Sequence, residues 1–224
     1  KKQIKFIMTF CLESTIIKPE KDKNINNAVV LLHGYGGDGK DISTLALNWR
    51  RHMPNTVFIC PNGHETCSIN PSGYQWFDLT KDDPNYILNE SLKAENKINK
   101  LLDEIREEYN FENKQICLSG FSQGCMMSIN VGLTAEKPFS SVVGFSGKII
   151  NTKNLKMRRK NCTNTLLIHG DQDDIVSPTH LLEAKDFFLR EKVNIETHLI
   201  LNCGHHIPIE ASSIALNYIL KNIK

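Results

Sequence analysis

The 224-residue sequence contains no C-x-x-C pair, although it holds seven cysteines. That absence excludes zinc-ribbon and thioredoxin-type chemistry. Seven is an odd number, so at least one thiol has no partner within the chain. Cys60 and Cys117 lie inside apolar runs, where a free thiol behaves as a small buried hydrophobe. This usage suits a reducing compartment and predicts a cytoplasmic protein. No apolar run approaches the roughly 18 residues that a membrane helix needs, so no stable membrane insertion is expected. Excess charge is also missing: Lys+Arg 27 against Asp+Glu 25 leaves +2, too weak a field to draw nucleic acid or an anionic membrane. H-E-x-x-H is absent and the eight His are scattered. His205 and His206 are adjacent, so their side chains diverge, and no metal site is expected. Internal repeats and low-complexity segments are lacking too.

What remains is an ordinary globular composition, 40% hydrophobic and 23% charged, on a chain of one-domain length. Residues 1–7, basic and then apolar, read as a first strand rather than a secretory signal, because Thr9, Glu13 and Ser14 break the apolar stretch. Short apolar runs follow at 28–33, 56–61, 115–119, 140–145, 165–169 and 195–201. Runs this apolar suit strands buried on both faces of a parallel sheet. Helical patterns separate them at 90–109, 123–135, 179–192 and 208–223. In the first of these, Ile98, Leu102, Ile105 and Tyr109 recur at helical spacing. Such alternation predicts an α/β chain with a mostly parallel central sheet and helices on both faces. Asn24 to Asn27 reads as a hairpin turn. Residues 62–89 form one long irregular stretch, and loops of that length in a small domain are usually functional.

Ligands in such sheets bind beyond the carboxyl ends of the strands, and the chemistry-bearing residues cluster there. Gly120-Phe121-Ser122-Gln123-Gly124 fits G-x-S-x-G between a predicted strand and a predicted helix. A sharp strand-to-helix turn would present the Ser122 hydroxyl, while the Gln123 N–H at the helix start faces a developing oxyanion. Serine is a weak nucleophile and needs a base, and the base needs an orienting carboxylate. Both follow in the expected order: Asp171, Asp173 and Asp174 after one strand, His205 and His206 after the next. The residues alone leave open which Asp and which His take those roles. After the strand at 28–33, Gly34, Gly36 and Gly37 let backbone N–H groups converge, with Tyr35 N–H as the second oxyanion donor.

Two rival readings attach to the same residues. Gly34 to Lys40 nearly spells a phosphate-binding loop, but Asp41 stands where that motif needs a hydroxyl, and its charge would repel phosphate. A non-catalytic binding protein on the same fold is the other, and the complete set of Ser, Asp and His argues against it.

The segments Leu32-His33-Gly34-Tyr35-Gly36, G-F-S-Q-G at 120–124, His169-Gly170-Asp171-Gln172-Asp173 and Gly204-His205-His206-Ile207 together resemble the phospholipase/carboxylesterase group of α/β hydrolases, which includes acyl-protein thioesterases. The resemblance implies an α/β-hydrolase fold, in one domain without a large cap, over residues 1–224. It implies a serine hydrolase of carboxylic esters or thioesters, of carboxylesterase, lysophospholipase or acyl-thioesterase type. The substrate is then a small-molecule or lipid acyl compound. The catalytic residues are Ser122, Asp173 and His205, with Tyr35 and Gln123 supplying the oxyanion hole and no cofactor. It also implies that Trp76 and Phe77, matching the group's W-F-D element, line an acyl pocket together with Gly34, so that the 62–89 insert borders that pocket. Homodimers are common in the group.

Overall fold

A computed structural model describes residues 10–19 and 23–223. The predicted strand at 1–7 lies outside them. Seven strands form one sheet, in the order β1-β3-β2-β6-β7-β8-β9. These are β1 (Ser14–Ile17), β2 (Asn27–Leu32), β3 (Thr56–Pro61), β6 (Ile116–Phe121), β7 (Ser141–Phe145), β8 (Thr165–Gly170) and β9 (Ile195–Ile200). All pair in parallel except β1, which runs antiparallel against β3 and registers Ser14 with Pro61. A hairpin, β4 (Glu65–Thr66) and β5 (Tyr74–Gln75), stands apart from the sheet.

The apolar strands alternate between two cores. Ala28, Val30 and Leu32 face one side and Val29 and Leu31 the other, as the two-residue period of a strand requires. On the first side pack α2 (Pro84–Tyr109), α3 (Gln123–Thr134), α4 (Thr152–Arg158) and α5 (Thr179–Arg190). On the second side pack α1 (Gly39–Trp49) and α6 (Ile209–Asn222). Residues 123–133 of α3 are all buried, so it is the central helix of its layer. This is the α/β-hydrolase arrangement, a mostly parallel sheet covered on both faces.

Three expectations need correction. The turn at Asn24 to Asn27 does not close a hairpin, because β3 sits between β1 and β2. A turn signal reports local backbone geometry and does not say which strands pair. The long irregular stretch ends earlier than 89. Pro84 takes the first helical position of α2, and the Asp83 side chain accepts a hydrogen bond from the Asn85 N–H, so the helix gains its first six residues from the supposed loop. Pro208 precedes α6 rather than occupying its first turn. The helix 84–109 then ends where Asn110 adopts a left-handed conformation with φ 53°.

Candidate active site

The carboxyl ends of β6, β8 and β9 bring Ser122, Asp173 and His205 together. Ser122 Oγ lies 3.0 Å from His205 Nε2, and His205 Nδ1 lies 2.8 Å from Asp173 Oδ2. Since the carboxylate can only accept, Nδ1 carries the proton and Nε2 is left as an acceptor facing the serine hydroxyl. Ser122 and Asp173 are buried, which strengthens each bond in this chain by keeping water away.

Ser122 owes its position to an unusual backbone. Its φ is 53° and its ψ −115°, values that cost an L residue on the order of 1–3 kcal/mol. The turn is held from both sides, by Ser122 N–H to Phe145 carbonyl at 2.8 Å and by Met126 N–H to Ser122 carbonyl at 3.1 Å. The glycines at the motif's two ends are required by close approach. A Cβ on Gly124 would stand 2.1 Å from the Leu32 carbonyl oxygen, and one on Gly120 would stand 2.3 Å from the Gly124 carbonyl oxygen. We expect Gly124→Ala to lower the unfolding free energy by about 1–3 kcal/mol or more, because β2 must shift to admit the methyl group. Urea denaturation reads this directly, and an unchanged midpoint would contradict it.

The three aspartates have different surroundings. Asp173 Oδ1 accepts from the backbone N–H groups of Ile175 at 3.0 Å and Val176 at 2.8 Å, while Oδ2 takes His205. Burial pushes its carboxyl up. The hydrogen bonds from Val176, His205 and Ile175 outweigh that, so it stays ionised below the ordinary carboxylate value. Asp171 Oδ1 instead accepts the Cys203 N–H at 3.2 Å, tying the end of β8 to the loop that carries His205. Asp174 is exposed. His206 makes no hydrogen bond to Ser122 or Asp173 among the described residues. Its Nε2 sits 3.9 Å from Cys203 Sγ.

The two N–H groups expected as oxyanion donors belong to two different segments. Gln123 N–H opens α3, and among the described residues neither it nor Tyr35 N–H is engaged by a protein acceptor. Both are therefore available to an incoming oxygen. Three other N–H groups of the 34–40 loop are taken. Gly36 donates to Tyr74 carbonyl, Gly37 to Gly34 carbonyl, and Gly39 to Asn62 Oδ1. Asp38 and Asp41 place two negative charges where a phosphate would lie, which argues against the phosphate-loop reading of Gly34 to Lys40.

Trp76 and Phe77 are 0% and 1% exposed and belong to the core beneath the turn. Trp76 Nε1 donates to the His33 carbonyl at 3.0 Å. The Gln123 side chain accepts from Trp76 N–H at 2.9 Å and donates to the Phe77 carbonyl at 2.7 Å. These bonds tie the loop after β2 to the turn that carries Ser122. The large open groove lies on the other face, between α1 and α6. Its volume is ≈ 670 Å³, and Gly34, Tyr35 and His205 stand among its lining.

Two histidines that sequence reasoning passed over support this frame. His33 Nδ1 lies 2.7 Å from the Gly34 carbonyl, and Nε2 accepts from Gly63 N–H at 2.8 Å, so the ring must be neutral. His169 Nε2 donates to the Val176 carbonyl at 2.8 Å and lies 3.2 Å from Asp173 Oδ2. A His-Gly pair at the end of an apolar strand run, seen twice in the chain, was the available signal. Burial pushes both pKa values below the ordinary histidine value. The unfolded chain therefore takes up protons below about pH 6.5 that the folded one refuses. Stability is full above that pH and is lost as pH falls toward the folded values. We expect the melting midpoint to fall between pH 7.5 and 5.5. A midpoint that rises on acidification would refute the neutral assignment.

Residues 13–223 match the phospholipase/carboxylesterase family. Acyl-protein thioesterase 1 of Yarrowia lipolytica is 26% identical over 210 residues, covering 88% of this chain and 92% of that protein. The protein of the same name from Emericella nidulans is 31% identical over 167 residues, covering 66% and 70%. The crystal structure of esterase PE8 is similar with a TM-score of 0.89 and 30% identity, over 94% of this chain and 99% of that one. A match of this extent, on a fold with these strand-end residues, places the chain in the phospholipase/carboxylesterase family of α/β hydrolases and makes it a hydrolase.

Proposed function

We propose that the protein cleaves carboxylic esters or thioesters through an acyl-enzyme intermediate, with Ser122 as nucleophile, His205 as general base and acid, and Asp173 as the group that orients His205. The observation that carries this reading is the continuous chain of hydrogen bonds from Ser122 Oγ through both nitrogens of His205 to Asp173. Ser122 Oγ attacks the acyl carbon while its proton passes to His205 Nε2. The carbonyl oxygen becomes an oxyanion held by the Tyr35 and Gln123 N–H groups, and the α3 dipole favours its charge. His205 then protonates the departing oxygen or sulfur, leaving the acyl group on Ser122. Water, losing its proton to His205, attacks the acyl-enzyme ester, and His205 returns that proton to Ser122 Oγ as the C–O bond breaks and the acid is freed. Asp173 stays ionised throughout and stabilises the imidazolium.

The relatives named as acyl-protein thioesterases and as an esterase support ester or thioester chemistry of this kind. Trp76 and Phe77 act as supports of the oxyanion loop. Their buried contacts with His33 and Gln123 favour that role over direct contact with an acyl chain.

An activated serine reacts with a fluorophosphonate, and an ordinary one does not. Incubation with such a probe should label the peptide bearing Ser122, and His205→Ala should abolish the labelling. Labelling undiminished in His205→Ala would overturn the assignment of the base.

A further inference from the structure

The groove between α1 and α6 adjoins His205 on the side away from the core that holds Trp76 and Phe77. Leu45 and Trp49 from α1 and Ile207 and Leu216 from the α6 side give it an apolar stretch, while Asp41, Asn48, Arg51 and Ser213 add polar groups to the lining. Ser122 and Gln123 are absent from its lining, so the groove begins beyond the serine, at the imidazole. Phe121 closes the space beneath that ring, with centroids 4.8 Å apart.

The position of a leaving group is constrained by proton transfer. Once Ser122 Oγ is bonded to the acyl carbon and the oxyanion is bound at Tyr35 and Gln123, two substituents remain. The departing heteroatom must lie within hydrogen-bond reach of His205 Nε2 to receive its proton. Whatever that atom carries continues past the imidazole, where the groove opens. The acyl chain is the other substituent and needs no contact with His205. A groove of ≈ 670 Å³ is within the size of cavities that hold a small ligand.

Resting on the serine-hydrolase reading above, we infer that the α1–α6 groove is the leaving-group subsite, and that it takes an alcohol or thiol bearing an extended apolar chain. Specificity then resides in the alcohol or thiol half of the substrate more than in the acyl half.

The test uses two ester series followed by acid release in a pH-stat. One holds acetyl constant and lengthens the alcohol from methyl to butyl to octyl. The other holds methanol constant and lengthens the acid from acetic to butyric to octanoic. In the unaltered protein, kcat/KM should rise at least about 10-fold from methyl to octyl acetate, while the methyl esters change by only about 2-fold, as expected when one apolar pocket does the discriminating. Thr44→Trp and Leu216→Trp place an indole in the groove from opposite walls, and Thr44 is exposed, so at least that variant should fold. Both should remove most of the octyl-to-methyl acetate preference, seen as a loss of roughly 10-fold in that ratio. A series in which the acyl length carries the preference, with the Trp variants shortening it, would overturn the inference and give the groove to the acyl chain. Variants that alter neither ratio would overturn it as well. Turnover that persists in Ser122→Ala would instead sink the hydrolase reading itself, and so is distinguishable from failure of the subsite.

Discussion

Ser122→Ala is expected to lower kcat on p-nitrophenyl esters by about 10⁴–10⁶-fold, with little change in folding. In the proposed mechanism Ser122 Oγ is the nucleophile, and it lies 3.0 Å from His205 Nε2, the proposed base. What survives should be the modest acceleration from substrate binding and the oxyanion donors alone. His205→Ala should cost a similar factor, and the double variant should be no worse than either single one, because the two act as one unit. A Ser122→Ala protein within about 10-fold of the original would contradict the assignment. Ser122→Gly gives a second reading on the same residue. At φ 53° and ψ −115° the Cβ is strained, so the glycine variant should be as inactive as the alanine one yet more stable by on the order of 1 kcal/mol. Such a result would show that the turn is strained to present the hydroxyl.

Asp173→Asn is expected to lower kcat on the order of 10⁴-fold, while Asp171→Asn and Asp174→Asn should each stay within about 10-fold of the original. An amide at 173 could donate to His205 Nδ1, which would turn the tautomer so that Nε2 carries the proton and cannot accept from Ser122. It would also remove the charge that steadies the imidazolium. At Asp171 the amide oxygen can still accept the Cys203 N–H, and Asp174 is exposed with no role in the hydrogen-bond chain. Steady-state kinetics on the three variants side by side decides the matter. A large loss confined to Asp174 would give the role to the wrong carboxylate here.

Much of this could be read before any coordinates. G-x-S-x-G between strand and helix, apolar runs alternating with helical periods, and the order Ser, Asp, His all depend on near neighbours or on chain order. Gly120 must be small because the turn's own atoms crowd it, with the Gly124 carbonyl oxygen 2.3 Å from where a Cβ would stand, whereas Gly124 is crowded at 2.1 Å by Leu32 of β2, which no local pattern names. Local crowding is written in local sequence. The first turn of α2 was also written there, in Asp83-Pro84, but as a helix start rather than as the loop punctuation it resembled.

By itself, then, the sequence determined a mostly parallel α/β sheet and the three strand ends on which a hydrolytic site could be built. It also narrowed the chemistry to a serine, a base and an acid. Only the tertiary structure decided which way the loop side chains face. Trp76 and Phe77 turn inward because Gln123, His33 and the buried backbone supply their hydrogen-bond partners from 43 to 47 residues away. The apolar groove appears beside His205 because α1 and α6, far apart in the chain, pack on the same face of the sheet. Period and motif record what a residue does to its neighbours. Burial of a polar atom, and the space left between two helices, depend on partners that no local pattern names.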